Sequence, residues 1–354
     1  MTEEKANKAP TIIDIAREAG VSKSAVSRAL LGQGRISEEV RSRVLDAAQR
    51  LGYVKNAMAQ GLVAQRTHTL GVLVRDAVRP FYGQLHAALQ GRAIEGGYRV
   101  VTATGVRDFA LAEERRALQT LLSLRVEGLV VCSGLLPARD IAPFVERVPT
   151  VVAGRPEPHP EINSVYCDEE DGAEQLVDHL VSLGHRRVAV LLVPEELSLT
   201  QYARTAAMVS GLRKRGVEIV VTELGDGPEA AAEAVPALLE DREITAIMCP
   251  QDDAMVGVLE RLRRAGVRVP DDISVTGFDG IGPLTTPLLG LTTLRQPLDE
   301  IGRRAIDLLL ELRADRSMPT RHIPLRGAGG VAEPKQAPAQ HPPPGGYFGG
   351  AARG

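Results

Sequence analysis

The chain has 354 residues, 44% hydrophobic and 25% charged, with a formal net charge of −3, an ordinary globular composition with room for two or three domains. Its longest apolar runs, such as RVAVLLV at 187–193, are strand-sized, and the opening MTEEKANKAP has no apolar stretch for export; neither a membrane partner nor a secretion signal is expected, and the expected location is cytoplasmic. The charge is uneven: residues 1–66 hold 11 Lys+Arg against 7 Asp+Glu, a net of +4, and the rest hold 31 against 38, a net of −7, so a basic head precedes an acidic body.

The head reads as three short helices. Thr11 and Asp14 form an acceptor pair suited to a helix start, Ile12, Ile15, Ala16 and Ala19 recur at helical spacing, and Gly20 ends the helix. Val21 is expected to pack inward, and Ser22 to cap a second helix whose apolar stripe is Val26, Ala29 and Leu30. Ser37 caps a third, with Glu38 and Glu39 at its positive end, Val40, Val44, Ala47, Ala48 and Leu51 inside, and Gly52 as the stop. The second helix is the informative one, because Lys23, Ser24, Ser27 and Arg28 crowd its first turns. Such donors suit a helix end that reads base edges and holds phosphates; a plain solvated face is the other reading.

The stretch TIIDIAREAGVSKSAVSRALLGQGRISEEVRSRVLDAAQRLGYVKNAMAQGL resembles the DNA-binding headpiece of the lactose-repressor (LacI/GalR) family, without a gap over some fifty residues. The resemblance implies a helix-turn-helix headpiece over 1–56 and a hinge helix or linker over 57–68, with DNA contacts from Thr11, Ser22, Lys23, Ser24, Ser27, Arg28, Asn56, Ala57 and Leu62. Leu62 matches the leucine that wedges into the minor groove. Two departures stand out: Lys55 precedes Asn56 where the family has proline, and Gly61 lies inside the hinge, where glycine costs a helix roughly 1 kcal/mol. A hinge that folds only on DNA and a linker without it are compatible descriptions.

From Leu70 the pattern alternates. Strand-like runs TLGVLV (69–74), YRVVTAT (98–104), EGLVVCS (127–133) and PTVVAGR (149–155) alternate with helical stretches, and RRVAVLLV (186–193), VEIVVTEL (217–224), TAIMCP (245–250) and ISVTGFD (273–279) repeat the scheme. Two such sets imply two parallel-sheet lobes, and open parallel sheets bind ligands beyond their carboxyl ends. The residues just past the strands are therefore cleft candidates: Arg75, Asp76, Arg79 and Phe81, then Arg155, Asp252 and Asp279. A strand-end Asp is also an ordinary helix cap, and Phe81 an ordinary core residue.

RPFYGQL, LVSLGHRRVAVL, QDDAMVGVLERLRRAGVRVPDDISVTGFD and LTTLRQPLDEIGRRAIDLLL follow in order, so the body resembles the effector domain of the same family, and the resemblance runs from about residue 11 to 333. It implies an all-α headpiece plus an α/β core of two parallel-sheet lobes, periplasmic-binding-protein-like, over 69–333. The first lobe takes about 69–166 plus 296–325 and the second about 167–295 plus 326–333, leaving a Pro/Gly-rich tail, 334–354, read as disordered. It also implies a homodimer that binds double-stranded operator DNA and is modulated by a small-molecule effector, a sugar or sugar derivative, with no other cofactor, in a bacterial nucleoid. Effector contacts are assigned to Arg75, Asp76, Arg79, Phe81, Arg155, Cys167, Met208, Asp252 and Asp279. Met208 stands where the family has an effector-binding arginine, Gln251 replaces an Asn, and Gly280 replaces a second Asp; losing a bidentate donor counts against a simple sugar. An effector-independent DNA-binding regulator with a vestigial cleft is the alternative.

No catalytic or metal site is expected. There is no G-x-S-x-G, Walker loop or H-E-x-x-H, the glycines of GFDGIG (277–282) lack Rossmann spacing, and the seven histidines are scattered, with His185 read as a turn residue. Cys132, Cys167 and Cys249 sit in strand-like runs without metal spacing and read as buried reduced thiols.

Overall fold

A computed structural model describes residues 10–31, 36–53, 66–105, 111–225 and 227–330, in two compact units, 1–67 and 68–354. Asn56, Ala57 and Leu62, with Lys55 and Gly61, lie outside the described residues, as does the tail.

The first unit holds α1 (Ile12–Ala19), α2 (Lys23–Leu31) and α3 (Glu38–Arg50). Thr11 and Asp14 form a reciprocal capping box, Thr11 N donating to the Asp14 carboxylate at 2.9 Å and Asp14 N to the Thr11 hydroxyl at 3.4 Å. Gly20, at φ +65°, turns the chain, and the Ser22 hydroxyl accepts Ala25 N at 3.2 Å to open α2. The Ser37 hydroxyl accepts Val40 N at 3.4 Å to open α3. Ile15, Val26, Val44 and Ala47 are fully buried, with Ala19, Ala29, Leu30 and Ala48 nearly so and Val21, Val40 and Leu51 packed on their edge. These caps and stripes are local features, so the elements form where the spacing places them.

The second unit contains two sheets. The first runs in the order β2 (Arg99–Thr104), β1 (Thr69–Val74), β3 (Gly128–Cys132), β4 (Thr150–Ala153), β5 (Asn163–Cys167), β11 (His322–Leu325), all parallel. The second runs β7 (Glu218–Glu223), β6 (Arg187–Leu192), β8 (Ala246–Met248), β9 (Ser274–Asp279), β10 (Thr292–Arg295), β12 (Ala328–Gly330), parallel except that β12 pairs antiparallel with β10. Eight of these strands carry the long apolar runs of the sequence. The other four, NSVYC, TTLR, HIPL and AGG, are three to five residues long, too short and too polar to signal themselves, and they form because the neighbouring strand offers an unpaired edge. Helices cover the faces: α4 (Pro80–Glu95), α5 (Leu111–Ser123), α6 (Ala138–Val145) and α11 (Leu298–Ala314) on the first sheet, α7 (Glu169–Ser182), α8 (Leu199–Lys214), α9 (Gly227–Glu240) and α10 (Asp252–Arg264) on the second. All three cysteines are buried free thiols. His185 is buried, with Nδ1 2.8 Å from the Thr245 hydroxyl. Among the described residues no helix is long and apolar enough to cross a membrane.

Candidate functional site

On the headpiece, packing of Val26, Ala29 and Leu30 turns the opposite side of α2 outward, leaving Lys23, Ser24 and Arg28 exposed and Ser27 half-buried. At 3.6 residues per turn these four side chains span an arc of about 140°. The first-turn polar groups are partly self-organised: the Ser22 and Ser24 hydroxyls lie 3.0 Å apart, and Arg28 Nε donates to the Ser24 carbonyl at 3.3 Å. Three other basic residues here form ion pairs, Arg17 with Asp14, Arg41 with Glu38 and Arg50 with Glu18. Lys23 and Arg28 form no ion pair among the described residues. Thr11 spends its hydroxyl and N–H on the capping box of α1.

In the second unit a cleft opens at the carboxyl ends of both sheets, as the strand order of open parallel sheets dictates. Arg75, Asp76, Arg79, Phe81 and Asp279 line it, joined by Tyr82, Ser133, Gly134, Ser198, Gln201, Gln251 and, at its floor, Arg204. Asp76 pairs with Arg79 at 3.4 Å. Gln201 donates to Gln251 at 2.8 Å.

Four expected contacts lie elsewhere. Met208 is fully buried in the apolar core; four residues earlier on α8, Arg204, which sequence reasoning missed, lines the cleft. Arg155 is a buried strut, donating from Nε to the Ser133 carbonyl and from Nη2 to the Leu136 carbonyl at 2.7 Å each and pairing with Glu157 at 2.9 Å; it shapes the cleft wall from behind. Cys167 is fully buried, its thiol pushed up by burial and then by Glu169. Asp252 reaches only a smaller adjoining recess. Its carboxylate accepts Gly280 N at 2.9 Å, Ile281 N at 3.2 Å and the Thr293 hydroxyl at 2.6 Å, which clamps the turn after β9. Gly280 is required in that turn: at φ +62°, a Cβ there would lie 2.4 Å from Arg295 Cα, which explains why no second acid follows Asp279.

Arg204 is the hub of the floor. It pairs bidentately with Glu169 at 2.7 and 3.2 Å, donates to the Pro250 carbonyl at 2.6 Å and to Asp279 Oδ1 at 3.3 Å, and stacks 3.6 Å over the Phe278 ring. Burial works against its charge, but Glu169 and Asp279 hold the guanidinium above its ordinary value. Asp279 also accepts Gln296 Nε2 at 2.7 Å. Burial raises its carboxyl, against the pull of Arg204 and with the push of Asp252. Its backbone lies at φ +112°, a conformation that costs a non-glycine residue about 1–3 kcal/mol and concentrates at ligand sites. The floor can present a carboxylate of fixed direction to hydroxyl or N–H donors, beside the Phe81 ring. The signal for Arg204 was its place six residues, nearly two turns, past Ser198, whose hydroxyl caps α8 by accepting Gln201 N at 3.3 Å.

Residues 11–56 match the family of bacterial regulatory proteins named for lacI, and residues 177–328 match the periplasmic binding protein-like domain. The chain is 30% identical over 316 residues to the HTH-type transcriptional repressor CytR of Escherichia coli, covering 88% of this chain and 92% of that protein. It is 31% identical over 304 residues to catabolite control protein A of Priestia megaterium, covering 84% and 91%. A crystal structure of the lac repressor dimer bound to operator and the anti-inducer ONPF matches with a TM-score of 0.81 at 27% identity, over 91% of this chain and 98% of that one.

Proposed function

The chain belongs to the LacI family of bacterial transcriptional regulators, and from that premise we propose that it is a dimeric repressor that reads a pseudo-palindromic operator through α2 and is controlled by a small molecule in the cleft. It is a DNA-binding regulator rather than an enzyme. One observation carries the assignment of the reading face: Lys23, Ser24 and Arg28 stand exposed together on α2, and neither Lys23 nor Arg28 forms an ion pair among the described residues. Lys23, Ser24 and Arg28 read base edges in the major groove, while Ser22, Ser27 and the α2 N-terminus hold phosphates. Leu62 of each protomer wedges into the minor groove at the operator centre, where a pyrimidine–purine step unstacks most easily.

In the cleft, Asp279 and Gln251 from one lobe and Asp76, Arg79 and Phe81 from the other contact the effector, a sugar or sugar derivative, and Arg204 holds Asp279 in place. An effector regulates only through the difference in its affinity for the lobe arrangements. Selecting DNA sites for the full chain from a random library, then screening sugars, sugar phosphates and nucleosides by thermal shift and by release from the selected site, tests both halves. A ligand at 100 times its Kd stabilises the chain by about 2.7 kcal/mol. A selected palindromic site whose binding no stabilising ligand alters would make the cleft vestigial, and failure to select any site would refute the DNA-reading assignment.

A further inference from the structure

Glu114 of α5 is the carboxylate whose environment the cleft reading leaves unexplained. Only 1% of its side chain is exposed, and neither oxygen makes a hydrogen bond of ordinary geometry among the described residues. Burial pushes its carboxyl up, while the Ser133 hydroxyl and the charges of Arg75 and Arg155 pull it down. Arg75 pairs with it only at long range, its Nε 3.9 Å from Glu114 Oε1. A buried carboxylate beside a guanidinium normally takes the fork-shaped pair of hydrogen bonds that geometry offers. Here the guanidinium turns the other way and crosses the cleft, Nη2 donating to the Leu197 carbonyl of the second lobe at 3.1 Å.

The surroundings of that crossing are built for close approach. Leu199 N donates to the Gly134 carbonyl at 2.9 Å, so the loop after β3 and the loop before α8 are joined through their backbones. A Cβ at Gly134 would stand 3.3 Å from the Ser198 hydroxyl, 3.5 Å from the Tyr82 hydroxyl and 3.7 Å from Arg75 Nη1; a larger side chain there would hold the loops apart. A second crossing, Arg79 Nη1 to Gln251 Oε1, is long at 3.5 Å. The two lobes therefore meet in this chain through its own groups, and the contact that joins them draws a guanidinium away from a buried acid.

We propose that Arg75 is a two-position latch: held on the Leu197 carbonyl it keeps the lobes together, and turned back onto Glu114 it lets them part. The proposal rests on the reading of the cleft as the regulated site and adds how the effector-free lobes are balanced. Glu114 is a positioning residue that competes with the Leu197 carbonyl for Arg75, and an effector acts on the balance between these two contacts.

The test uses the full chain without ligand at pH 8, spin-labelled through Gln119→Cys on α5 and Glu240→Cys on α9. Both positions are exposed, and the three native cysteines are buried. Pulsed dipolar distances give the ratio of open to closed chains. Arg75→Met is expected to raise that ratio about tenfold, the factor a charged hydrogen bond is worth, and Glu114→Gln to lower it by a similar factor. Gly134→Val, which leaves Arg75 and Glu114 in place, is expected to open the chain as Arg75→Met does. Opening by Glu114→Gln in a chain with native circular dichroism would make Glu114 a mere prop and overturn the latch, as would distances that ignore both Arg75→Met and Glu114→Gln. The effector reading fails separately: in that case no ligand of the thermal-shift screen alters binding to the selected DNA site, while the distances still respond to the three substitutions.

Discussion

The headpiece and the cleft assemble their working groups in opposite ways. In the headpiece one nine-residue helix carries the reading face, with its apolar side buried and its polar side exposed, so fold and function occupy different sides of the same element. In the cleft, side chains from the ends of β1, β8 and β9 and from α8 converge, and the floor is a buried network in which Arg204 pairs with Glu169 and Asp279 and Gln296 donates to Asp279. Removing a headpiece contact therefore leaves the fold intact, whereas removing a floor residue strips partners from buried charges.

The largest effect follows from breaking that network. Arg204→Ala leaves the carboxylates of Glu169 and Asp279 buried without their cation and is expected to destabilise the core by about 3–5 kcal/mol in urea unfolding. Met208→Ala removes a fully buried side chain one turn away and is expected to cost about 2–5 kcal/mol, but with unchanged effector affinity; a loss of affinity as large as that of Asp279→Ala would return Met208 to the site. On the headpiece the pattern inverts. Lys23→Ala and Arg28→Ala are each expected to change stability by no more than about 0.5 kcal/mol, yet to weaken binding to the selected operator by about 1–3 kcal/mol per lost bidentate base contact. A uniform loss on all DNA, with a lower salt slope, would reassign them to phosphates. Thr11→Ala removes the capping box and is expected to cost the headpiece about 1 kcal/mol in thermal unfolding; a loss confined to DNA binding would restore Thr11 as a contact.

The smallest effect is a pH slope. Asp279 holds its proton more tightly folded than unfolded, with its carboxyl raised by burial from 3.8 to about 7. Its contribution to stability is thus fully present below 3.8 and is lost as pH rises through about 7. Asp279→Asn is expected to flatten the decline of the melting temperature across that window; an unchanged slope would place the proton on another member of the floor.

Much of this was legible before any coordinates. Thr11, Gly20, Ser22 and Ser37 mark helix ends through bonds to atoms three or four residues away, and the eight long apolar strands declare themselves by period and composition. The misplaced site residues share one cause. Arg155, Asp252 and Met208 were all assigned by position along the chain; Arg155 and Met208 turn away from the cleft and Asp252 reaches only the adjoining recess, because a strand end or a helix turn offers several directions and only the packing of the neighbours selects one.

The sequence by itself determined the three-helix head, the repeated α/β alternation and the basic face of α2, since capping, hydrophobic period and charge act over a few residues. Only the tertiary structure decided that Arg204 rather than Met208 meets the cleft, that Asp252 clamps a turn, and that Arg75 reaches past Glu114 to the other lobe. Those choices depend on the rotation of α8 against its sheet and on groups 28 to 122 residues apart in the chain, whose proximity exists only once the two sheets have folded.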